Sequence, residues 1–194
     1  MGGPCFVIDD SGKKKVGPAC TDNFQVRRFT FDGVEYYSCE HAYQALKFIP
    51  GSRQVKLQSL QPSAGENDSA FGMRCWSEGQ RGQVRDDWDA IKVGVMLAVT
   101  EAKFMQHEDL QQELLSTGRA DIVGGPSTSW TIGGKVHNWN HWNGLIQMRV
   151  REQLRPESDR NSGVLRKIVA EFDAYSAAAS AGKLCRAHQG VQCS

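Results

Sequence analysis

The 194-residue sequence has no excess of charge of either sign: 23 Lys and Arg stand against 22 Asp and Glu, a formal net charge of +1. A protein that grips polyanions over its whole surface would be more basic, so any nucleic acid has to be met by a local patch. No run approaches the roughly 18 apolar residues of a membrane span. The opening MGGPCFVIDDSGKKKVG lacks the apolar core of a signal peptide. Six cysteines (Cys5, Cys20, Cys39, Cys75, Cys185, Cys193) include no CxxC pair, and none is spaced with a histidine as a zinc site requires. Neither a metal site nor an obligatory disulfide is therefore expected. Scattered thiols without a leader point to a reducing, intracellular compartment, cytoplasmic or nuclear. Internal repeats and the glycine patterns of dinucleotide and P-loop sites are also missing.

What is present suits a single domain with a tail: 40% hydrophobic and 23% charged residues. Residues 1–18, rich in Gly, Pro and Lys, read as a flexible arm. FTFDGVEYY (29–37) alternates about Asp32-Gly33 and predicts a short hairpin. Ser38 then N-caps a helix running to about Ile49, which Pro50-Gly51 stops. A short helix near Val55–Leu60 gives way to polar loop up to residue 83. The strongest helical signal follows, with Trp88, Ile91, Val95, Val99 and Ala102 on one stripe and Val93, Leu97 and Phe104 on the other side, a central helix buried on two faces. A helix over Leu110–Thr117 ends at Gly118. Residues 124–144 read as a long Gly- and Trp-rich loop of the kind that carries function. Leu145–Leu154 form a helix. Leu165, Ile168, Phe172 and Tyr175 mark a last amphipathic one, and the segment beyond Ala181 has no packing pattern. The fold class is α+β, predominantly helical, with a small β element.

Three features can carry chemistry. The helix over Glu40–Ile49 places Glu40, Gln44 and Lys47 in one narrow arc, with Ala42, Ala45, Leu46 and Ile49 buried opposite. A carboxylate and an amine on one rigid face can do acid–base or nucleophilic work if the face lines a pocket. The other reading is a solvated face with a weak ionic contact. Among five tryptophans, Trp88 is either a core anchor or a pocket wall. Trp130, in the Gly-rich loop, offers a stacking platform for a base, whereas Trp139 and Trp142 pack the loop. Arg81, Arg85, Lys92 and Lys103 are either surface charge or a basic patch, in which Arg85 before the central helix could hold a phosphate.

Read in order, these segments resemble the NADAR family, the YbiA-like N-glycosidases. Asn23-Phe24 looks like the family's SNF element. SCEHAYQALKF (38–48) is similar to its S-E-H-x-x-Q-A-x-K-F signature. VRDDWDAIKVGVMLAVTEAKFMQH (84–107) resembles the R-x-x-W…K-x-x-VM…AKF-x-Q-H block, and LLSTG (114–118) and GLIQMRVREQL (144–154) fit the closing helices. The resemblance implies a catalytic domain over 19–156, followed by a C-terminal helix and tail over 157–194. It implies hydrolysis of the N-glycosidic bond between ribose and a guanine-type base. The expected substrate is ADP-ribosylated guanine in DNA or RNA, and the alternatives are phosphoribosylamino-pyrimidine intermediates of riboflavin synthesis or binding without turnover. Glu40 and Lys47 become the catalytic pair. Asn23, Phe24, Gln44, Arg85, Trp88 and Trp130 become the substrate-binding set. No cofactor or metal is implied, and the partner is ADP-ribosylated nucleic acid or a nucleotide-like small molecule, with no membrane. The chain departs from the family's pattern in three places. Pro126–Thr131 lacks an acid before its tryptophan, His141 stands where Asn is expected, and 61–83 is longer.

Overall fold

The protein, seen in a computed structural model, is described over residues 3–189, with side chains described over residues 3–181. Helices dominate and three small antiparallel sheets surround them, an α+β architecture. The hairpin forms where the alternation places it: β3 (Phe29–Phe31) pairs with β4 (Val34–Tyr36), joining Phe29 to Tyr36. Asp32 and Gly33 both have positive φ, 49° and 75°, the backbone a tight primed turn requires.

Ser38 caps α1 (Cys39–Leu46), its side chain accepting from the His41 N–H at 3.1 Å. The Glu40 N–H, one of the donors with no partner inside the helix, donates to the Asn23 carbonyl at 2.9 Å. Every residue from Cys39 to Ala45 is buried, so α1 is enclosed on all sides. Ile49, expected inside, is exposed just past the helix end.

The central helix α4 (Trp88–Met105) has the length its periodicity predicts and is buried on two faces. Two of its lysines run against expectation: Lys92 and Lys103 are buried, not surface charge. The Lys103 ammonium donates to the Cys20 carbonyl at 2.8 Å. Long aliphatic stems permit this when the charged end finds an acceptor. α2 (Ser52–Gln58) and α5 (Glu108–Leu115) lie within a few residues of their expected positions, and α6 spans Trp139–Leu154.

Three segments differ from the sequence reading. Residues 1–18 do not form a loose arm throughout. β1 (Phe6–Ile8) sits between β2 (Lys14–Val16) and β5 (Asp121–Val123), with Cys5 and Val7 buried. Within the polar stretch 61–83, α3 (Asp68–Gly79) forms, capped by the Asn67 side chain on the Ala70 N–H. The long loop at 124–144 contains a second hairpin, β6 (Ser129–Ile132) with β7 (Lys135–Asn138), turning at Gly133-Gly134 with φ of 56° and 76°. The Gly-Gly dipeptide is a hairpin signal in its own right. Asn138 then caps α6.

The last helix, α7 (Ser162–Gln189), lies on its predicted stripe: Ile168, Phe172 and Tyr175 are buried. Side chains beyond residue 181, Cys185 and Cys193 included, lie outside the described residues. The other four cysteines are buried thiols. No helix among the described residues is long and apolar enough to cross a membrane.

Candidate active site

The arc on α1 is a hydrogen-bonded ladder. Gln44 Nε2 donates to Glu40 Oε1 at 2.6 Å, and Lys47 Nζ donates to Gln44 Oε1 at 2.9 Å. A third bond runs from Lys47 Nζ to the Gly79 carbonyl at the end of α3, also 2.9 Å. Glu40 is 0% exposed and Lys47 9% exposed, which excludes the solvated-face reading. Gln44, expected to touch substrate, here spends its amide on the two ionisable groups.

Burial dominates the electrostatics. It pushes the Glu40 carboxyl above the usual carboxylate range, against the opposing pull of the Gln44 hydrogen bond and the Lys47 charge. It pushes the Lys47 amine below the usual lysine range, where Glu40 pulls it up and the Lys92 charge pushes it further down. Both shifts run in the direction that proton delivery and nucleophilic attack need, an acid that holds its proton longer and an amine that loses its proton sooner. Among the described residues, buried Glu40 Oε2 has no hydrogen-bond partner, an acceptor open to a further donor.

The sequence reading has both head groups looking into a cavity large enough for a sugar, and the structure corrects this. A cleft of about 600 Å³ opens at the C-terminal end of α1, lined by residues including Ile49, Arg85, Asp89, Ile132, Gly133 and Ala178. Glu40 and Lys47 do not line it. The reason is α3, which packs over the ladder through Gly72, Cys75 and Gly79, residues three and seven apart on one helix face. A Cβ on Gly72 would overlap the Phe24 ring, and one on Gly79 would overlap the Gln44 side-chain oxygen. Gly79→Ala is therefore expected to displace Gln44 and lower turnover about tenfold or more without removing an ionisable group. Turnover and melting temperature measured together check this.

The remaining expected site residues divide. Asn23 is buried beside the start of α1, its amide donating to Asn143 Oδ1 at 3.2 Å. Phe24 is a packing residue against Gly72, not a lining one. The Arg85 N–H donates to the Lys47 carbonyl at 3.0 Å, which joins the cleft to the end of α1. Its guanidinium is held by the Asp87 carboxylate, at 2.5 and 2.9 Å, so a phosphate would have to compete with that pair. Trp88 is buried, its ring 4.7 Å from that of Tyr43 on α1.

Trp130 does not offer a free stacking face. The Lys92 ammonium lies 3.9 Å from its ring centroid, and the rings of Trp139 and His137 lie at 5.1 and 5.9 Å. Its indole N–H donates to the Tyr175 hydroxyl at 3.1 Å. Trp130→Ala should thus cost stability, about 2 kcal/mol for a half-buried tryptophan, and a thermal melt will show whether it does.

Sequence reasoning gave no site role to Tyr43, Asn143, Tyr175 and Gly79, and took Lys92 only as surface charge or part of a basic patch. Lys92 donates to Asp89 Oδ1 at 2.8 Å. Its i,i+3 acidic partner is visible in the sequence, but such pairs are ordinary on surfaces. No group of three or more His, Cys, Asp or Glu side chains able to hold a metal exists among the described residues.

These features define a helix-dominated α+β protein whose site is a buried acid–amine ladder beside a cleft with both charged and apolar walls. The NADAR domain profile matches residues 11–155, and the chain belongs to that family. It is 32% identical over 139 residues to N-glycosidase Npun_R5314 of Nostoc punctiforme, covering 70% of this chain and 85% of that protein. It is 36% identical over 141 residues to riboflavin biosynthesis protein VVA0006 of Vibrio vulnificus, covering 72% of this chain but only 36% of that protein. Among solved structures it is similar to the NMR structure of the E. coli protein YbiA, with a TM-score of 0.56, 26% identity and coverage of 75% of this chain and 79% of that one.

Proposed function

We infer that this chain is an N-glycosidase that cleaves the bond between ribose and a guanine-type base, and that its substrate is ADP-ribosylated guanine in DNA or RNA. The observation that carries the reading is the ladder itself, a buried carboxyl and a buried amine one hydrogen-bonded amide apart, with burial raising the proton affinity of the first and lowering that of the second. The N-glycosidase name of the Nostoc relative supports the reaction class.

Glu40 delivers a proton to the ribose ring oxygen. The C1–O bond opens and C1 is left doubly bonded to the base nitrogen. The neutral Lys47 amine adds to C1, and the base leaves with a proton as the C1–N bond breaks. The resulting imine between C1 and Lys47 is hydrolysed by water, which restores the amine and frees the sugar. In the competing route, water attacks an oxocarbenium-like ribose with Glu40 as base, and Lys47 only binds.

Entry of substrate requires α3 to yield at Gly79, since the ladder is closed beneath it. Arg85, in the cleft lining and bonded through its N–H to the Lys47 carbonyl, would meet the substrate first. The near-neutral charge fits recognition of the modification rather than tight grip on unmodified nucleic acid.

A second reading keeps the chemistry and takes phosphoribosylamino-pyrimidines as substrate. The names of the Vibrio vulnificus relative and of a maize relative, a riboflavin biosynthesis protein PYRR, favour it. Incubation with an ADP-ribosylated guanine oligonucleotide, followed by mass analysis, separates the two. Free ADP-ribose and restored guanine are expected. Turnover of the pyrimidine intermediates alone would transfer the assignment to the second reading, and binding without release would make the chain a recognition module.

A further inference from the structure

Helix packing brings a second buried amine, that of Lys92, to the level of Lys47. α4 runs antiparallel to α1. Cys39, the first residue of α1, meets α4 at Val99 and Thr100: its thiol donates to the Val99 carbonyl at 4.0 Å and accepts from the Thr100 hydroxyl at 3.9 Å. At the other end, the Lys47 carbonyl accepts from the Arg85 N–H just before α4, and the Tyr43 ring meets that of Trp88. Both helices rise about 1.5 Å per residue. Eight residues along α1 from Cys39 is Lys47, and eight back along α4 from Thr100 is Lys92. Lys92 also shares one buried stripe of α4 with Met96, Val99 and Thr100, the stripe that touches α1.

The two amines differ in what holds them. The Lys92 ammonium donates to Asp89 Oδ1 at 2.8 Å and lies 3.9 Å from the Trp130 ring centroid. Tyr175 joins these two holders, accepting from Trp130 Nε1 and donating to the Asp89 carbonyl. A carboxylate and an aromatic face both favour the charged form. Lys47 instead donates to two neutral oxygens, those of Gln44 and Gly79. Of the two buried amines, Lys47 is therefore the one to lose its proton first. The exposed Asp89 carboxylate shares its charge with water, whereas Lys92 is buried, so positive potential remains in the interior. The other charged groups on the elements around Lys47 are Glu40 through Gln44 on α1, Arg53, Lys56 and Glu78, which pair with one another on α2 and α3, and Arg85, held by Asp87. Glu35 on β4 pairs with Arg28. Around Lys92 stand Asp89, His137 on β7 and Tyr175 on α7. The Lys92 charge and burial both push the Lys47 amine down, against the pull of Glu40.

We propose that Lys92 is a positioning residue: its ammonium, fixed by Asp89 and the Trp130 face, keeps the facing Lys47 amine available as a neutral nucleophile. A second cation nearby is one physical means of activating a lysine. This rests on the reading in which Lys47 attacks C1, and adds what sets its protonation.

The test needs no substrate. Lysine labelled with carbon-13 at Cε is followed by NMR across pH in the full chain and in Lys92→Met and Lys92→Arg, with Lys47→Arg assigning the Lys47 signal. Lys92→Met keeps the stem and removes the charge, so the Lys47 midpoint should rise by about one pH unit. The acid limb of the turnover profile should rise with it, lowering turnover about tenfold at a pH below both midpoints. Lys92→Arg restores the charge and should return midpoint and limb to their wild-type positions. Lys92→Gln replaces Lys92→Met if the latter does not fold. A merely structural Lys92 would lower the melting temperature and leave the midpoint where it is. A midpoint that stays or falls overturns the proposal, as does one that a folded Lys92→Arg fails to restore. The expected shift in a chain that cleaves no modified oligonucleotide would leave the coupling of the amines standing and refute the enzymatic reading, so the two failures are distinguishable.

Discussion

Lys47→Arg is expected to reduce turnover by about 10³-fold or more, because the guanidinium keeps its proton at any working pH and cannot act as a nucleophile. The substitution preserves the positive charge and the reach to the Gln44 and Gly79 oxygens that Lys47 now occupies. It therefore separates the two routes. If Lys47 only holds substrate, arginine retains much of the activity; if the amine attacks C1, the activity is lost. Single-turnover release of ADP-ribose, with circular dichroism as a folding control, measures the difference. The pH profile carries the same information. Turnover should rise with pH as the amine, depressed below the usual lysine range by burial, loses its proton. It should fall again as the Glu40 carboxyl, raised by burial, loses its own, giving a bell.

Glu40→Gln is expected to lower turnover about 10²- to 10⁴-fold, the usual loss when a general acid or base is removed, while making the protein more stable. Glu40 is fully buried, and among the described residues one of its carboxyl oxygens has no partner. Burying a charge is costly unless it is fully paired. Glutamine keeps an oxygen for the Gln44 N–H and carries no charge to bury. The sign follows from linkage. The folded-state pKa lies above the unfolded one, so the favourable contribution of Glu40 is complete below the unfolded pKa and is lost as pH rises through the folded one. The gain from glutamine is therefore largest at neutral and alkaline pH, where the melting temperature should rise by roughly 2–4 °C for each kcal/mol recovered. A variant that loses both activity and stability would mean that Glu40 holds α1 in place and does no chemistry. Strain and buried charge concentrated where activity needs them are the common trade of active sites.

The parts of the site that sequence made legible are those whose signal is local. Ser38 as cap, the Asp32-Gly33 turn and the spacing of Glu40, Gln44 and Lys47 each depend on neighbours within a few residues, and each stands where the pattern places it. The long stripe of α4 and the Phe172–Tyr175 face of α7 are legible for the same reason. What escaped depends on distant partners. α3 carries little apolar periodicity because its packing face is made of Gly72 and Gly79, where Phe24 and Gln44 supply the bulk. Lys103 is buried because the Cys20 carbonyl, 83 residues away, receives it. The N-terminal strands are only three residues each, and β1 is held by pairing on both edges, with β2 and with residues 121–123 far along the chain. The cleft is hidden too: its walls come from the residue Ile49 just past α1, the segment leading into α4, α4 itself, the second hairpin and α7 at once.

The route through Lys47 requires its amine to become covalently joined to the sugar. Borohydride added during turnover of an ADP-ribosylated guanine oligonucleotide reduces any imine and fixes it for peptide mass analysis. A sugar adduct is expected on the peptide carrying Lys47, present in the wild type and absent in Lys47→Arg. Undiminished release of ADP-ribose with no adduct at Lys47 would contradict it.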